Sequence, residues 1–239
     1  MPIRKGMGPP SKGMRPLSNL ARKTAMAAIE RAALDARSMP GNLLPHECLD
    51  ELTAAARRIV AEVERLPEAP CDLRGTGDRP IDATVAGLLV GRRMELPGET
   101  MLQLGLGIFL QDVGKLALPL SIVDKPGPLD HDELELMHRH PELGLDLLRE
   151  EDIGPGARTV VRFHHERWDG GGYPLGLAGS KIPLLARIAG IADAFVAAPS
   201  QQEGVASLRA GAGRAFDPGL VDLLADVALA RAPGLHRVA

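Results

Sequence analysis

Residues 184–198 read Leu-Leu-Ala-Arg-Ile-Ala-Gly-Ile-Ala-Asp-Ala-Phe-Val-Ala-Ala, an almost continuously apolar helical segment. A helix with no polar face to turn to water has to be surrounded by other elements. The chain offers helical neighbours for it. From Ile81 onward apolar residues recur at helical spacing, β-branched runs are short, and Ala and Leu dominate. With 239 residues, 45 % of them hydrophobic, there is enough material for one large all-α domain or a main domain with a small companion.

Three segments divide the chain. Residues 1–17 read as a flexible basic tail rich in Pro, Gly and Ser. Six basic side chains (Arg4, Lys5, Lys12, Arg15, Arg22, Lys23) and no acid precede Glu30. Lacking interleaved aromatics, this stretch gives no clear signature of nucleic-acid binding. Residues 18–72 read as an N-terminal helical region. Ser18 is a candidate N-cap, and Met26, Ile29 and Ala33 recur at helical spacing until Pro40-Gly41. Leu49, Leu52, Ala56, Ile59, Val63 and Leu66 then mark an amphipathic helix ended by Pro67, which packs on a neighbouring helix or forms a homodimer seam. Residues 67–80 read as a linker, and 73–234 form the main domain. An Asp130–Glu133 capping box starts a helix expected to end near His140-Pro141, and residues 197–213 look loosely specified. No apolar run reaches the ~18 residues of a membrane span and no signal-peptide core is evident. Two cysteines, Cys48 and Cys71, make neither a disulfide framework nor a zinc knuckle. A cytoplasmic location is expected.

The chemistry-bearing residues are unevenly distributed. Every aromatic lies at or beyond Phe109, and five of the seven histidines fall between His131 and His165. Asp112 follows the apolar run 104–110, separated from it only by Gln111, and Asp193 is the lone acid of the buried helix 184–198. A buried carboxylate is costly unless it meets a cation, either a basic side chain such as Arg187 or a metal. His164 and His165 would diverge by about 100° on a regular helix. The glycines at 170–172 argue that the helix ends beside them, which lets both approach one ion. His140 falls at a helix end, whereas His138 and His131 read as surface residues. Imidazoles with carboxylates suit Fe, Mn or Zn.

From about Gly91 to Leu224 the chain resembles the HD-GYP family, metal-dependent phosphodiesterases of cyclic di-GMP within the HD superfamily. The resemblance is carried by Gln111-Asp112-Val113-Gly114-Lys115, Lys125-Pro126-Gly127, His140, and His164-His165-Glu166-Arg167-Trp168-Asp169-Gly170-Gly171-Gly172-Tyr173-Pro174. It continues through Gly176-Leu177, Arg187-Ile188, Ala192-Asp193 and the 213–218 segment. It implies an all-α helical bundle in which Asp112, His140, His164, His165 and Asp193 ligate divalent metal. It further implies that Lys115 lies near the scissile phosphate, and that the Gly172-Tyr173-Pro174 loop shapes the substrate pocket and contacts GGDEF domains.

Two positions depart from the family pattern. Gln111 stands where the family has the histidine of its His-Asp doublet, and Arg79 falls where it has its first histidine ligand. Past Asp193, Val196 and a shortened segment replace an acid and an Arg-rich stretch. The expectation is a site with fewer ions, in which Arg79 takes part of a vacated cation position, neutralises Asp112 or Asp193, and contacts phosphate. Two functions remain open: a phosphodiesterase converting cyclic di-GMP to pGpG or GMP with impaired catalysis, and a non-catalytic module binding cyclic di-GMP or a GGDEF partner.

Overall fold

The computed structural model describes residues 17–38, 45–65, 73 and 77–229. The basic tail and most of the 67–80 linker lie outside these residues. Among them there are no strands, only two isolated bridges, Asp169 with Ala178 and Ala212 with Phe216. The helices are α1 (Asn19–Ser38), α2 (His46–Glu64), α3 (Arg79–Arg93), α4 (Gly98–Leu110), α5 (Leu120–Val123), α6 (His131–Met137), α7 (His140–Leu147), α8 (Gly154–Phe163), α9 (Leu184–Ala197), α10 (Gln201–Gly211) and α11 (Pro218–Leu229). The all-α expectation holds.

α3 is the hub. Every residue from Ile81 to Gly91 is buried, because α2, α4, α9 and α11 pack around it. Its Gly87 allows the close approach of α4, since a Cβ there would sit 2.2 Å from Ile108 Cδ1. The apolar segment at 184–198 is α9, with Ala186, Ile188, Ala189, Ile191, Ala192, Phe195 and Val196 buried. The core runs without interruption from Leu17 to Ala228, so the N-terminal helices share it with the rest.

α2 buries the expected stripe from Leu49 to Val63; Leu66 lies outside the described residues. Ser18 caps α1 as expected, its Oγ accepting from the Ala21 N–H at 3.1 Å, and it ties α1 to α2 by donating to Glu62 Oε1 at 2.7 Å. The buried face of α1 differs from expectation. It is an alanine stripe (Ala21, Ala25, Ala28, Ala32, Ala36), while Met26 is exposed, because small side chains let α1 lie close on α2. Cys48 is free and buried, its Sγ donating to Asp35 Oδ2 at 2.8 Å.

Three boundaries also move. Arg79 and Pro80 are not linker but the first turn of α3, capped by the Asp78 carboxylate, which accepts from the Ile81 N–H. The 197–213 stretch forms α10, capped by Ser200. The Asp130–Glu133 capping box is present, but its helix stops at Met137, and His140 opens a new helix with Pro141 in its first turn. Proline donates no N–H and clashes with the preceding turn, so a break falls there. If α3 is the hub, Leu88→Ala, at a fully buried position, lowers unfolding free energy by about 2–5 kcal/mol in urea titration. A loss below about 1 kcal/mol would show that the helices around α3 collapse to fill the space.

Candidate metal centre

Asp112, His140, His164 and His165 converge, each offering a ligand atom within 4.8 Å of the others. Their backbone positions follow from local sequence. Asp112 stands immediately before the 3-10 turn Val113–Ala117 that follows α4. That turn presses against the start of α7 at Gly114, where a Cβ would stand 1.9 Å from the His140 carbonyl oxygen. His140 opens α7 beside it. α8 ends at Phe163, with His164 as its still-helical C-cap, and the His164 and His165 rings stand 4.1 Å apart, at 5.3 and 5.0 Å from the His140 ring.

Proton placement decides what this cluster needs. His140 Nδ1 lies 2.8 Å from the Met137 carbonyl oxygen, and His164 Nδ1 lies 3.0 Å from that of Val161. Only a protonated nitrogen satisfies a carbonyl, so in each neutral ring the bare lone pair is at Nε2. Those two Nε2 atoms are 3.2 Å apart, and Asp112 Oδ1 stands 3.3 Å from one and 3.8 Å from the other. Asp112 Oδ1 is buried without an aligned hydrogen bond, although Lys115 Nζ pairs with it by charge at 2.8 Å. One shared proton would relieve one edge of this triangle; a cation relieves all three. Tetrahedral or octahedral bonds of about 2.1 Å place neighbouring ligand atoms roughly 3.0–3.4 Å apart, close to the spacing found. The residues fit a divalent metal.

The fifth expected ligand is elsewhere. Asp193 is outside the four-residue cluster, and its carboxylate Oδ1 lies 3.3 Å from Arg79 Nη2. Arg187, the alternative partner, is engaged with Asp217 at 2.5 Å and with the Ile182 carbonyl at 2.9 Å. Asp193 is not fully buried either, with 30 % of its side chain exposed. Gln111 is buried, and its Oε1 lacks a hydrogen-bond partner.

The Gly172-Tyr173-Pro174 loop closes one side of the centre. Tyr173 stacks on His165 at 4.7 Å between ring centroids, and the loop folds back through its N–H to the His165 carbonyl. Gly172 is required there: a Cβ would lie 2.4 Å from the Arg167 nitrogen and 2.5 Å from the His165 oxygen. Glu166, buried, anchors the far side by accepting from the N–H groups of Leu175 and Leu177 at 2.7 and 2.8 Å.

His138, expected at the surface, belongs instead beside the centre. It is half-buried and stacks on the other face of Tyr173, with centroids 3.9 Å apart, so it is not a surface bystander. In a single helix over 130–141, residues two apart such as His138 and His140 would point to different faces; the break after Met137 removes that constraint. His131 is a surface residue, as expected.

Burial, and next to it His164, holds the His140 imidazole down at about 4 and that of His165 at about 2. Burial would raise Asp112, but His164 and Lys115 outweigh it and hold the carboxyl below its usual range. Tyr173 is raised by burial and by the carboxylates of Asp112 and Asp193. In the unfolded chain the two histidines titrate near 6.5, so between there and about 4 the unfolded state binds more protons. Stability of chelator-treated protein therefore falls as pH drops through this window, and His140→Gln flattens the decline. Urea unfolding at several pH values checks this; equal slopes in both proteins would contradict it.

The sequence profile of the HD-domain family matches residues 47–220. The cyclic di-GMP phosphodiesterase response regulator RpfG of Xanthomonas campestris pv. campestris is 43 % identical over 152 residues, covering 59 % of this chain and 40 % of that protein. A 3'3'-cGAMP-specific phosphodiesterase of Vibrio cholerae is 42 % identical over 126 residues, covering 48 % and 24 %. A cyclic di-GMP phosphodiesterase of Thermotoga maritima is 34 % identical over 125 residues, covering 47 % and 34 %. The chain thus spans well under half the length of these curated relatives. Among solved structures, an HDG"Y"P protein from Bdellovibrio bacteriovorus matches with a TM-score of 0.58 at 16 % identity, over 87 % of this chain and 69 % of that one. A cyclic GMP-AMP-specific phosphodiesterase of Vibrio cholerae matches at 0.52 and 23 %, over 61 % and 42 %. Both structural likenesses concern the fold alone. No helix among the described residues is long and apolar enough to cross a membrane. With its profile match running from α2 into α11, the chain belongs to the HD-domain family.

Proposed function

We propose that this chain is a metal-dependent phosphodiesterase of cyclic di-GMP or a related cyclic dinucleotide, working with fewer ions than is usual for its relatives and hence slowly. The observation that carries the reading is the triangle of two bare Nε2 atoms and the Asp112 Oδ1, with Lys115 at its edge. Asp112, His140, His164 and His165 hold the ion, for which iron or manganese suits the imidazole–carboxylate donor set. When bound, a divalent ion polarises the phosphodiester and lowers the pKa of a coordinated water. The chain's own residues do the rest. Lys115, about a third exposed, directs its ammonium to the edge of the centre, where it stabilises charge building on the phosphate. The rings of Tyr173 and His138 wall off one side of His165. Asp112 stays ionised, as a ligand must.

A second reading has its own support. The Tyr173 loop is fixed from both ends, by the His165 carbonyl and by Glu166, and presents Leu175 with 56 % of its surface exposed. A rigid loop with an exposed apolar side chain suits docking of a GGDEF-domain protein or a second copy of the chain, with the dinucleotide bound but not cleaved.

Turnover separates the two. With added Mn²⁺ or Fe²⁺ the protein converts cyclic di-GMP to pGpG, and His165→Ala loses that activity. Binding of the dinucleotide without product, in protein loaded with either ion, would overturn the enzyme reading and leave the module.

A further inference from the structure

Arg79 is held loosely for an arginine in an ion pair. Among the described residues its one side-chain hydrogen bond is the 3.3 Å contact from Nη2 to Asp193 Oδ1, and 61 % of its side chain is exposed. A guanidinium carries five N–H donors in a planar fork suited to phosphate oxygens, so most of its capacity is unspent. Its position is fixed at the root. The Asp78 cap and Pro80 set the first turn of α3, and the fully buried Ile81 follows.

The pair stands beside the metal centre. α9 passes against α8 at Gly190, where a Cβ would lie 3.3 Å from the His164 carbonyl oxygen. Asp193 is three residues further along, on the same side of α9. Tyr173 feels the charge of both Asp112 and Asp193. Each of these carboxylates carries its own cation, Lys115 on one and Arg79 on the other.

Charge balance gives the arrangement its meaning. Lys115 pairs with Asp112 at 2.8 Å and Arg79 with Asp193 at 3.3 Å. With each carboxylate answered by its own cation, the charge of a bound divalent ion would be left for the ligand. A cyclic dinucleotide has two phosphodiesters, each carrying one negative charge. Removing Arg79 would leave Asp193 as an uncompensated negative charge facing that ligand.

We infer that Arg79 is a phosphate-binding residue that Asp193 holds in place, its guanidinium gripping a phosphodiester of the ligand beside the metal centre. The inference rests on the cyclic-dinucleotide reading above for the identity of the ligand, and on the Arg79–Asp193 geometry for the clamp itself. Asp193 positions the guanidinium and gives up no ligand atom to the substrate.

Isothermal titration of the full chain with cyclic di-GMP, and separately with bis(p-nitrophenyl) phosphate, tests this without depending on turnover. Arg79→Ala weakens cyclic di-GMP binding roughly ten- to hundred-fold, the range expected for losing a charged hydrogen-bonding partner. Arg79→Lys recovers part of it, as a point charge without the fork. Asp193→Asn is the control for a merely structural ion pair, since it keeps the arginine and removes only the carboxylate that holds it; it weakens binding severalfold less than Arg79→Ala does. An equal loss in Asp193→Asn and Arg79→Ala, or binding by Arg79→Ala within two-fold of the unaltered protein, would overturn the clamp and leave the phosphodiesterase reading untouched. If the unaltered protein ignores cyclic di-GMP but binds the simple phosphodiester in an Arg79-dependent way, the clamp stands and the dinucleotide reading falls. Binding of neither probe would overturn both.

Discussion

Three atoms that repel one another organise this molecule's functional end. His140 and His164 have each committed their Nδ1–H to a backbone carbonyl, which leaves two bare Nε2 atoms 3.2 Å apart with the Asp112 carboxylate alongside. Lys115 answers the carboxylate but not the two facing lone pairs; around a cation all three atoms become a preformed coordination shell. The backbone holds it in place through features with little other purpose. Pro141 forces a helix to begin at His140, α8 stops one residue before His164, and Gly114 lets the Asp112 turn lie against His140. The polar Nδ1 contacts fix both tautomer and ring orientation, as carbonyl partners do behind metal-binding histidines generally.

Much of the architecture was readable from periodicity and composition. α9 announced itself by having no polar face, and the stripe from Leu49 to Val63 landed where its spacing put it. The alanine face of α1 was not legible, because hydrophobicity points to Met26 and Ile29 while close packing against α2 rewards the smallest side chains. The helix break between Met137 and His140 was hidden for another reason. A capping box and helical spacing dominate the local pattern, and a proline in the first turn of a second helix looks like the last residue of the first. His138 was lost with that break, since its contact with Tyr173 depends on it. Four of the five expected ligands come together. The fifth, Asp193, could not be placed by spacing alone, because its partner Arg79 lies more than a hundred residues away along the chain, at the start of α3.

That pairing makes the site lopsided. On the His140–His164 side the donors are imidazoles and a carboxylate awaiting a cation; on the Asp193 side the cation is already covalently part of the chain. A guanidinium can balance charge and hold a phosphate, but it cannot act as a Lewis acid or acidify water. Gln111, with its buried and unpartnered Oε1, offers at most a neutral oxygen in place of a stronger ligand. The distribution of donors supports a centre that binds its ligand through one ion and one arginine, with correspondingly less power to activate a nucleophile.

The number of ions therefore tests the account more directly than any rate. Elemental analysis of purified protein, after removal of loosely bound metal, is predicted to give one divalent ion per chain, lost in His164→Ala and retained in Asp193→Asn. Two or more tightly bound ions per chain, or loss of the ion in Asp193→Asn, would contradict it.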